Sequence, residues 1–267
     1  MRSETISSGQ NPKIKDLLLL QEKSKRRRES GLFVVEGKRE IEHCIACGYM
    51  LDSVFFCPSI LGLSADELEV SFFGQSPRLF EVTREVYDKI AYRGGTEGMI
   101  AEVRCKEHGL ENIVLRENPL IVILESVEKP GNLGAVLRSA DAAGADAVIV
   151  CDPLTDLYNP NLIRSSIGAI FTVPCAACSS EECIAWLKKN GVRILTAQLQ
   201  DSEWYYDMDM KSGTAIVIGT EATGLTDSWR QAADAHIKIP MLGRLDSLNA
   251  SVSAAILMFE AVRQRNS

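Results

Sequence analysis

A chain of 267 residues, 46% apolar and 24% charged, is long enough to bury a core and lies far from the compositions of disordered or fibrous proteins. Its net charge of −7 argues against a polyanionic partner, yet residues 1 to 40 hold ten Lys or Arg against six acids. No apolar run approaches the ~18 to 20 residues of a membrane span, and the opening MRSETISSGQNPK lacks the apolar stretch of a signal peptide, so a cytoplasmic location without a membrane partner is expected.

In chain order, residues 11 to 20 read as a helix, and Lys23 to Arg28 follow as five cations in six positions. A basic end on an acidic chain can hold RNA or DNA by releasing counterions from phosphates, although such a run also describes a solvated helix face. LFVVEG (32 to 37) reads as a strand, KREIEHCIACG as a helix, LDSVFFC as a strand, TREVYDKIA as a helix and GMIAEVRC (98 to 105) as a strand. These predict a small α/β domain over residues 1–105. Residues 106–119 are polar and weakly periodic, as in a linker. From Leu120 to the end the texture changes to short unbroken apolar strands, LIVILE, DAVIV, RILTA, TAIVIG and AHIKIP, each separated by a helical stretch. Strands without alternation, interleaved with helices, predict a second α/β domain over 120–267, with a parallel sheet covered on both faces.

Eight cysteines without a secretion signal read as reduced thiols. Cys44/Cys47 and Cys175/Cys178 have Cys-x2-Cys spacing, but they fall in different expected domains and the first pair lies inside an apparent helix. They are read as small buried hydrophobes, and no metal is expected.

In parallel sheets, ligands bind beyond the carboxyl ends of the strands. Three stretches there carry polar chemistry. After LIVILE come Glu128-Lys129-Pro130-Gly131-Asn132, with Asn132 placed to cap a helix running to Gly144, whose small residues allow close packing and whose one cation is Arg138. After TAIVI comes GTEATGL, with Gly219, Glu221 and Gly224. The third runs from Ile239 through Pro240, a glycine hinge at Gly243 and the polar step Asp246-Ser247-Leu248-Asn249 into a long apolar helix. Taken singly, each has an ordinary reading: a tight turn, a surface salt-bridge arginine, an exposed turn acid, an N-cap pair.

Taken in order, the three loops resemble the SpoU or TrmH branch of the SPOUT RNA methyltransferases. Asn132 to Gly144 matches the family's Asn-x5-Arg motif, Gly219 to Leu225 its G-x-E-x-x-G-[LM] motif, and Ile239 to Ala255 its third motif almost letter for letter. One departure is Glu128-Lys129, where relatives often carry an aspartate. The resemblance covers residues 120 to 267 strongly. The preceding domain is similar to the L30e-like substrate-binding domain that often accompanies it, with GLFVVEGKREI as its best match.

The resemblance implies a carboxyl-terminal domain tied in a deep trefoil knot, one of the rare exceptions to unknotted topology. It implies S-adenosylmethionine held by backbone at Gly219, Ile239 and Leu248, with Met241, Gly243 and Gly224 in the same loops. It also implies a homodimer with its active site at the seam, and a structured RNA, ribosomal or transfer, as the partner. The expected reaction is methyl transfer to a ribose 2′-hydroxyl. Arg138 would clamp an RNA phosphate and stabilise the forming alkoxide, since a guanidinium does not deprotonate in a protein. Asn132 and Glu221 would hold Arg138 or the ribose, and Ser247 and Asn249 would position ribose and phosphate. Lys23, Arg26, Arg27, Arg28, Lys38 and Arg39 would contact RNA. Two other classes remain open: a catalytically silent RNA-binding protein of the same fold, and a dinucleotide-dependent oxidoreductase, which would need a G-x-G-x-x-G loop that the sequence lacks.

Overall fold

In the computed structural model the chain divides into two compact units, one of Met1–Lys106 with Asp156–Arg164, the other of Glu107–Thr155 with Ser165–Ser267. The structure describes residues 3–70, 72, 74–92, 94, 97–244 and 247–267. Among these, no helix is long and apolar enough to cross a membrane.

The first unit contains β1 (Glu4–Ile6), α1 (Pro12–Glu22), α2 (Ser24–Ser30), β2 (Leu32–Glu36), α3 (Lys38–Ala46), β3 (Leu51–Phe56), α4 (Pro58–Leu61), α5 (Ala65–Val70), β4 (Arg78–Val82), α6 (Arg84–Ile90) and β5 (Met99–Arg104). Its mixed sheet runs β1-β4-β3-β5-β2. Asn11 starts α1 by accepting the backbone N–H of Lys13, with Pro12 at the first helical position, and Ile14, Leu17 and Leu20 repeat at helical spacing into the core. β1, β4, the basic helix α2 and the short helices α4 and α5 are additions to the predicted elements.

A returning stretch of chain completes this unit. Tyr158 stacks on Phe33 at 4.1 Å between ring centroids. Asp156 accepts a 2.6 Å hydrogen bond from Nε of Arg27, whose Nη1 also donates to the carbonyls of Leu20 and Gln21. The expected domain of residues 1–105 is thus finished by a segment the sequence assigned elsewhere.

The second unit contains β6 (Leu120–Glu125), α7 (Pro130–Ala143), β7 (Ala147–Cys151), α8 (Pro160–Ser165, of which only Ser165 falls in this unit), α9 (Ala169–Thr172), β8 (Cys175–Cys178), α10 (Ser180–Lys189), β9 (Arg193–Ala197), β10 (Glu203–Trp204), β11 (Thr214–Ile218), α11 (Asp227–Ala232), β12 (Ala235–Lys238) and α12 (Ala250–Arg265). Its strands order as β10-β12-β9-β11-β6-β7-β8, every pairing parallel. β6, β7 and β11 are buried from end to end, as their unbroken apolar runs require. Between β9 and β11 the connection is β10 and a single 3-10 turn rather than the expected helical stretch.

The polar stretch 106–119 is packed rather than free. Leu110, Ile113 and Leu115 lie against the core of the second unit, and the carbonyl of His108 accepts the N–H of Ala177 at 2.9 Å. Close helix packing at Gly134 follows from its missing side chain, since a Cβ there would come within 2.0 Å of the Ser165 hydroxyl.

Candidate functional site

Because β6, β11, β9 and β12 are neighbouring parallel strands, their carboxyl ends open on one edge, and the loops that follow them meet there. Between the loops lies a cleft of about 360 Å³, walled by segments 197–200, 218–225 and 237–239, by Arg230 and Met241, and by Ser247, Leu248, Ala250, Ser253 and Leu257. Its size is that of a small-molecule site.

The loop after β11 closes by backbone alone. Thr220 and Gly224 form an isolated antiparallel bridge, with the N–H of Gly224 donating to the carbonyl of Thr220 at 3.0 Å. Gly224 takes a φ of 67°, which a side chain would strain. At Gly219 the constraint is contact: a Cβ would stand 2.3 Å from the carbonyl carbon of Gly224 and 2.6 Å from the nitrogen of Leu225. The loop is then held from beneath by Glu125, the last residue of β6, which is 2% exposed. Its carboxylate accepts the N–H and hydroxyl of Thr226 at 2.9 and 2.6 Å, and the Ser180 hydroxyl oxygen lies 3.3 Å from it. Ser180 in turn donates to Asp152 and accepts from the indole of Trp229. Sequence reasoning missed this network; an acid ending a wholly apolar strand was its one visible signal.

Glu221 is the centre of the polar chemistry. Its Oε1 accepts Nδ2 of Asn249 at 2.8 Å, Nδ2 of Asn132 at 3.2 Å and the backbone N–H of Ala250 at 3.3 Å, while Nζ of Lys129 lies 3.3 Å from Oε2. Asn249 also donates to Oδ1 of Asn132 at 3.1 Å. The Ala250 N–H, with Lys129 second, holds the Glu221 carboxyl below the usual carboxylate range. Asn249 does two jobs, because its Oδ1 caps α12 by accepting the N–H of Ser251 while its amide reaches the other two loops.

Several expectations need correction. Asn132 does not cap α7: the helix starts at Pro130 with Lys129 as its uncapped N-cap, which frees the Asn132 amide for Glu221. Gly243 is no hinge, since its φ is ordinary and a Cβ would meet nothing within 4 Å; it does not wall the cleft. The demand for glycine falls on Gly219 and Gly224 instead. Gly219, Gly224, Ile239, Met241, Leu248, Glu221 and Ser247 all line the cleft, whereas Asn132, Asn249 and Arg138 are not among its walls. Leu245 and Asp246 lie outside the described residues.

The Arg138 side chain is exposed and makes no hydrogen bond or ion pair with any described residue. Six residues along α7 from Asn132, it stands about 9 Å further up the axis and about a third of a turn away, apart from the Glu221 cluster. Sequence reasoning also missed the wall after β9. There Oε1 of Gln198 is buried with no donor, and Nε of Arg230, also in the cleft lining, is buried with no acceptor, among the described residues. The end of a parallel strand was the available signal.

In the first unit, the basic residues separate by environment. Arg27 is buried at 3% and already paired with Asp156, so it is not an RNA contact. Arg26 grips Asp16 through two hydrogen bonds at 2.8 and 2.9 Å. Lys23, Arg28, Lys38 and Arg39 are exposed.

The chain matches the SpoU rRNA Methylase family over residues 119–259 and the MRM3-like substrate binding domain over residues 11–101. It is 36% identical over 193 residues to the 23S rRNA (guanosine-2′-O-)-methyltransferase RlmB of Vibrio vulnificus, covering 70% of this chain and 78% of that one. A crystal structure of an RNA 2′-O ribose methyltransferase superposes with a TM-score of 0.83 at 39% identity, covering 99% of this chain and all of the other. The SpoU methyltransferase AviRb from Streptomyces viridochromogenes, crystallised with AdoMet, superposes with a TM-score of 0.88 at 28% identity, over 97% and 99% of the two chains.

Proposed function

Since the chain belongs to the SpoU rRNA Methylase family, we propose that it transfers a methyl group from S-adenosylmethionine to a ribose 2′-hydroxyl of ribosomal RNA. The observation that carries the reading is Glu221, which is both part of the cleft wall and the acceptor for the amides of Asn132 and Asn249, so that one carboxylate joins all three loops. A silent RNA-binding protein has no need of that arrangement.

The cleft fits the cofactor. Its walls mix apolar and polar surface, and they present one buried acceptor, Oε1 of Gln198, and one buried donor, Nε of Arg230, that no described residue matches. Such atoms are costly unless a ligand pairs with them. Gly219, Ile239 and Leu248 would hold the adenosine. When bound, the cofactor supplies a sulfonium-activated methyl.

The protein's part is to orient the ribose oxygen and to stabilise the charge that develops on it. Glu221 keeps the Asn132 and Asn249 amides fixed, and with Ser247 they would position the ribose. Arg138 would grip an RNA phosphate through its planar fork, which no protein carboxylate among the described residues competes for. Because Arg138 stands apart from the Glu221 cluster of its own chain, a homodimer that brings in a second copy is part of the proposal. Val252 and Phe259, seven residues apart on one face of α12 and about half exposed, supply an apolar seam for it. The trefoil knot belongs to the same reading: β11 inserts between β9 and β6, and α12 returns to pack on α7.

Single-turnover methylation of ribosomal RNA, with modified sites mapped in cells with and without the gene, tests the reading. Arg138→Ala should lose on the order of 10²- to 10³-fold in rate at unchanged cofactor affinity, and Arg138→Lys less. An alanine variant that methylates within a few-fold of wild type, saturated with both substrates, makes Arg138 structural and refutes the mechanism.

A further inference from the structure

Three cysteine thiols converge at the carboxyl ends of β7 and β8, on the lateral edge of the second unit's sheet away from β12, where neither the cleft nor the Glu221 cluster uses them. Cys151 ends β7, Cys178 ends β8, and the two are register partners in a parallel pairing, which puts both side chains on the same face. Cys183, in the first turn of α10, reaches the same point, and the three Sγ atoms lie within 4.8 Å of one another. Cys151 and Cys183 are fully buried, while Cys178 is partly exposed and gives solvent a way in. We propose that Cys151, Cys178 and Cys183 form a three-thiolate binding site for a thiophilic d10 metal ion, Zn²⁺ or Cu⁺.

The sequence pattern pointed to a different grouping. Cys175 and Cys178 have zinc-finger spacing, but three residues apart on a strand they face opposite sides of the sheet, so only Cys178 joins the cluster. The geometry suits an ion. Sulfurs bound at ~2.3 Å stand about 3.8 to 4.0 Å apart around a shared metal, so the observed spacing needs a closing movement of under about 1 Å. Soft sulfur donors without an oxygen or nitrogen partner select ions of this class. Binding displaces a proton from each thiol that ligates and changes no oxidation state.

Packing alone explains part of the cluster. Cys178 precedes the Ser179 cap and Cys183 is the fourth helical residue, which are the positions of an apolar staple beside the Ser179–Glu182 capping box. It does not explain a third thiol, in register, at the same point.

The full chain, reduced and stripped with a chelator, is titrated anaerobically with Cd²⁺ as optical probe. Sulfur-to-cadmium charge-transfer absorbance should saturate at one equivalent, persist in the Cys44→Ser/Cys47→Ser double variant, and weaken at least tenfold in affinity in Cys178→Ser. Displacement of cadmium by Zn²⁺ or by Cu⁺ identifies the ion. X-ray absorption of the zinc-loaded wild-type chain, which needs no variant, should count three sulfur neighbours at ~2.3 Å. No band at one equivalent, a band that Cys178→Ser leaves intact, or fewer than three sulfurs around zinc would overturn the proposal.

Discussion

Replacing Gly219 by alanine tests the cleft at its tightest point. The added Cβ would sit 2.3 Å from the carbonyl carbon and 2.4 Å from the oxygen of Gly224, and 2.6 Å from the nitrogen of Leu225. All three are backbone atoms of a loop pinned by the Thr220–Gly224 bridge and by Thr226 on Glu125, so no flexible side chain can yield. Overpacking of this kind costs about 1 to 3 kcal/mol, and since loop 219–224 walls the cleft, the displacement falls on the cofactor site. Passed on to binding, that is about 5- to 150-fold in Kd. Calorimetry with S-adenosylmethionine or its demethylated product gives the affinity, and the thermal shift at saturating ligand gives an independent reading. Gly243→Ala is the control: its Cβ meets nothing, and binding should stay within twofold. If Gly219→Ala binds as tightly as Gly243→Ala with an unchanged Tm, loop 219–224 does not shape the cofactor site.

Gln198→Leu removes the unmatched buried acceptor of the cleft and should weaken cofactor binding by about 5- to 10-fold without lowering the Tm of the free protein; an unchanged Kd in calorimetry would show that no ligand donor reaches Oε1. Arg27→Ala strands Asp156 and should cost about 3 to 5 kcal/mol in denaturant unfolding. Neutralising exposed Lys23, Arg28, Lys38 and Arg39 should leave stability intact and reduce the salt slope of RNA binding by roughly 0.7 to 0.9 log units for each phosphate no longer neutralised; a retained slope returns them to a solvated face. Glu221, with its carboxyl held below the ordinary range, contributes stability that is complete above its unfolded pKa of about 4.3 and is lost as pH falls through the lower folded value. Glu221→Gln should therefore flatten the acid limb of the stability–pH curve below pH ~4.3 and leave the neutral region's shape alone, as read by Tm against pH.

The fold was legible where pattern and burial agree. The unbroken runs of β6, β7 and β11 announced a sheet covered on both faces, and that sheet is all parallel. β8 was missed because Cys-Ala-Ala-Cys has no β-branched or aromatic residue to mark a strand, and β10 because it is two residues long. Within the site, Asn132, Glu221 and Asn249 were legible as polar residues in the loops beyond the strands, but the sequence set Asn132 and Glu221 against Arg138 or the ribose, and the hydrogen bonds that join them to Asn249 left no mark in it. The placement of the glycine requirement at Gly219 rather than Gly243 was not legible, because a close approach between backbones five and six residues apart leaves no trace in spacing. Nor could charge alone separate Arg27 from Arg28: neighbours on a helix point about 100° apart, and only the partner at Asp156, far along the chain, decides which one turns inward.

That partner bears on how the protein is made. The first unit holds a guanidinium in its interior whose carboxylate is encoded 129 positions later, together with the Tyr158 ring that covers Phe33. As the chain leaves the ribosome, residues 1–106 emerge long before Asp156, and until it arrives the interior is open and carries an unanswered charge. Folding of the amino-terminal half is therefore tied to synthesis well into the carboxyl-terminal half. A fragment ended at residue 106 should be a markedly less stable species than the same residues in the intact protein, and supplying the missing peptide in trans should restore it.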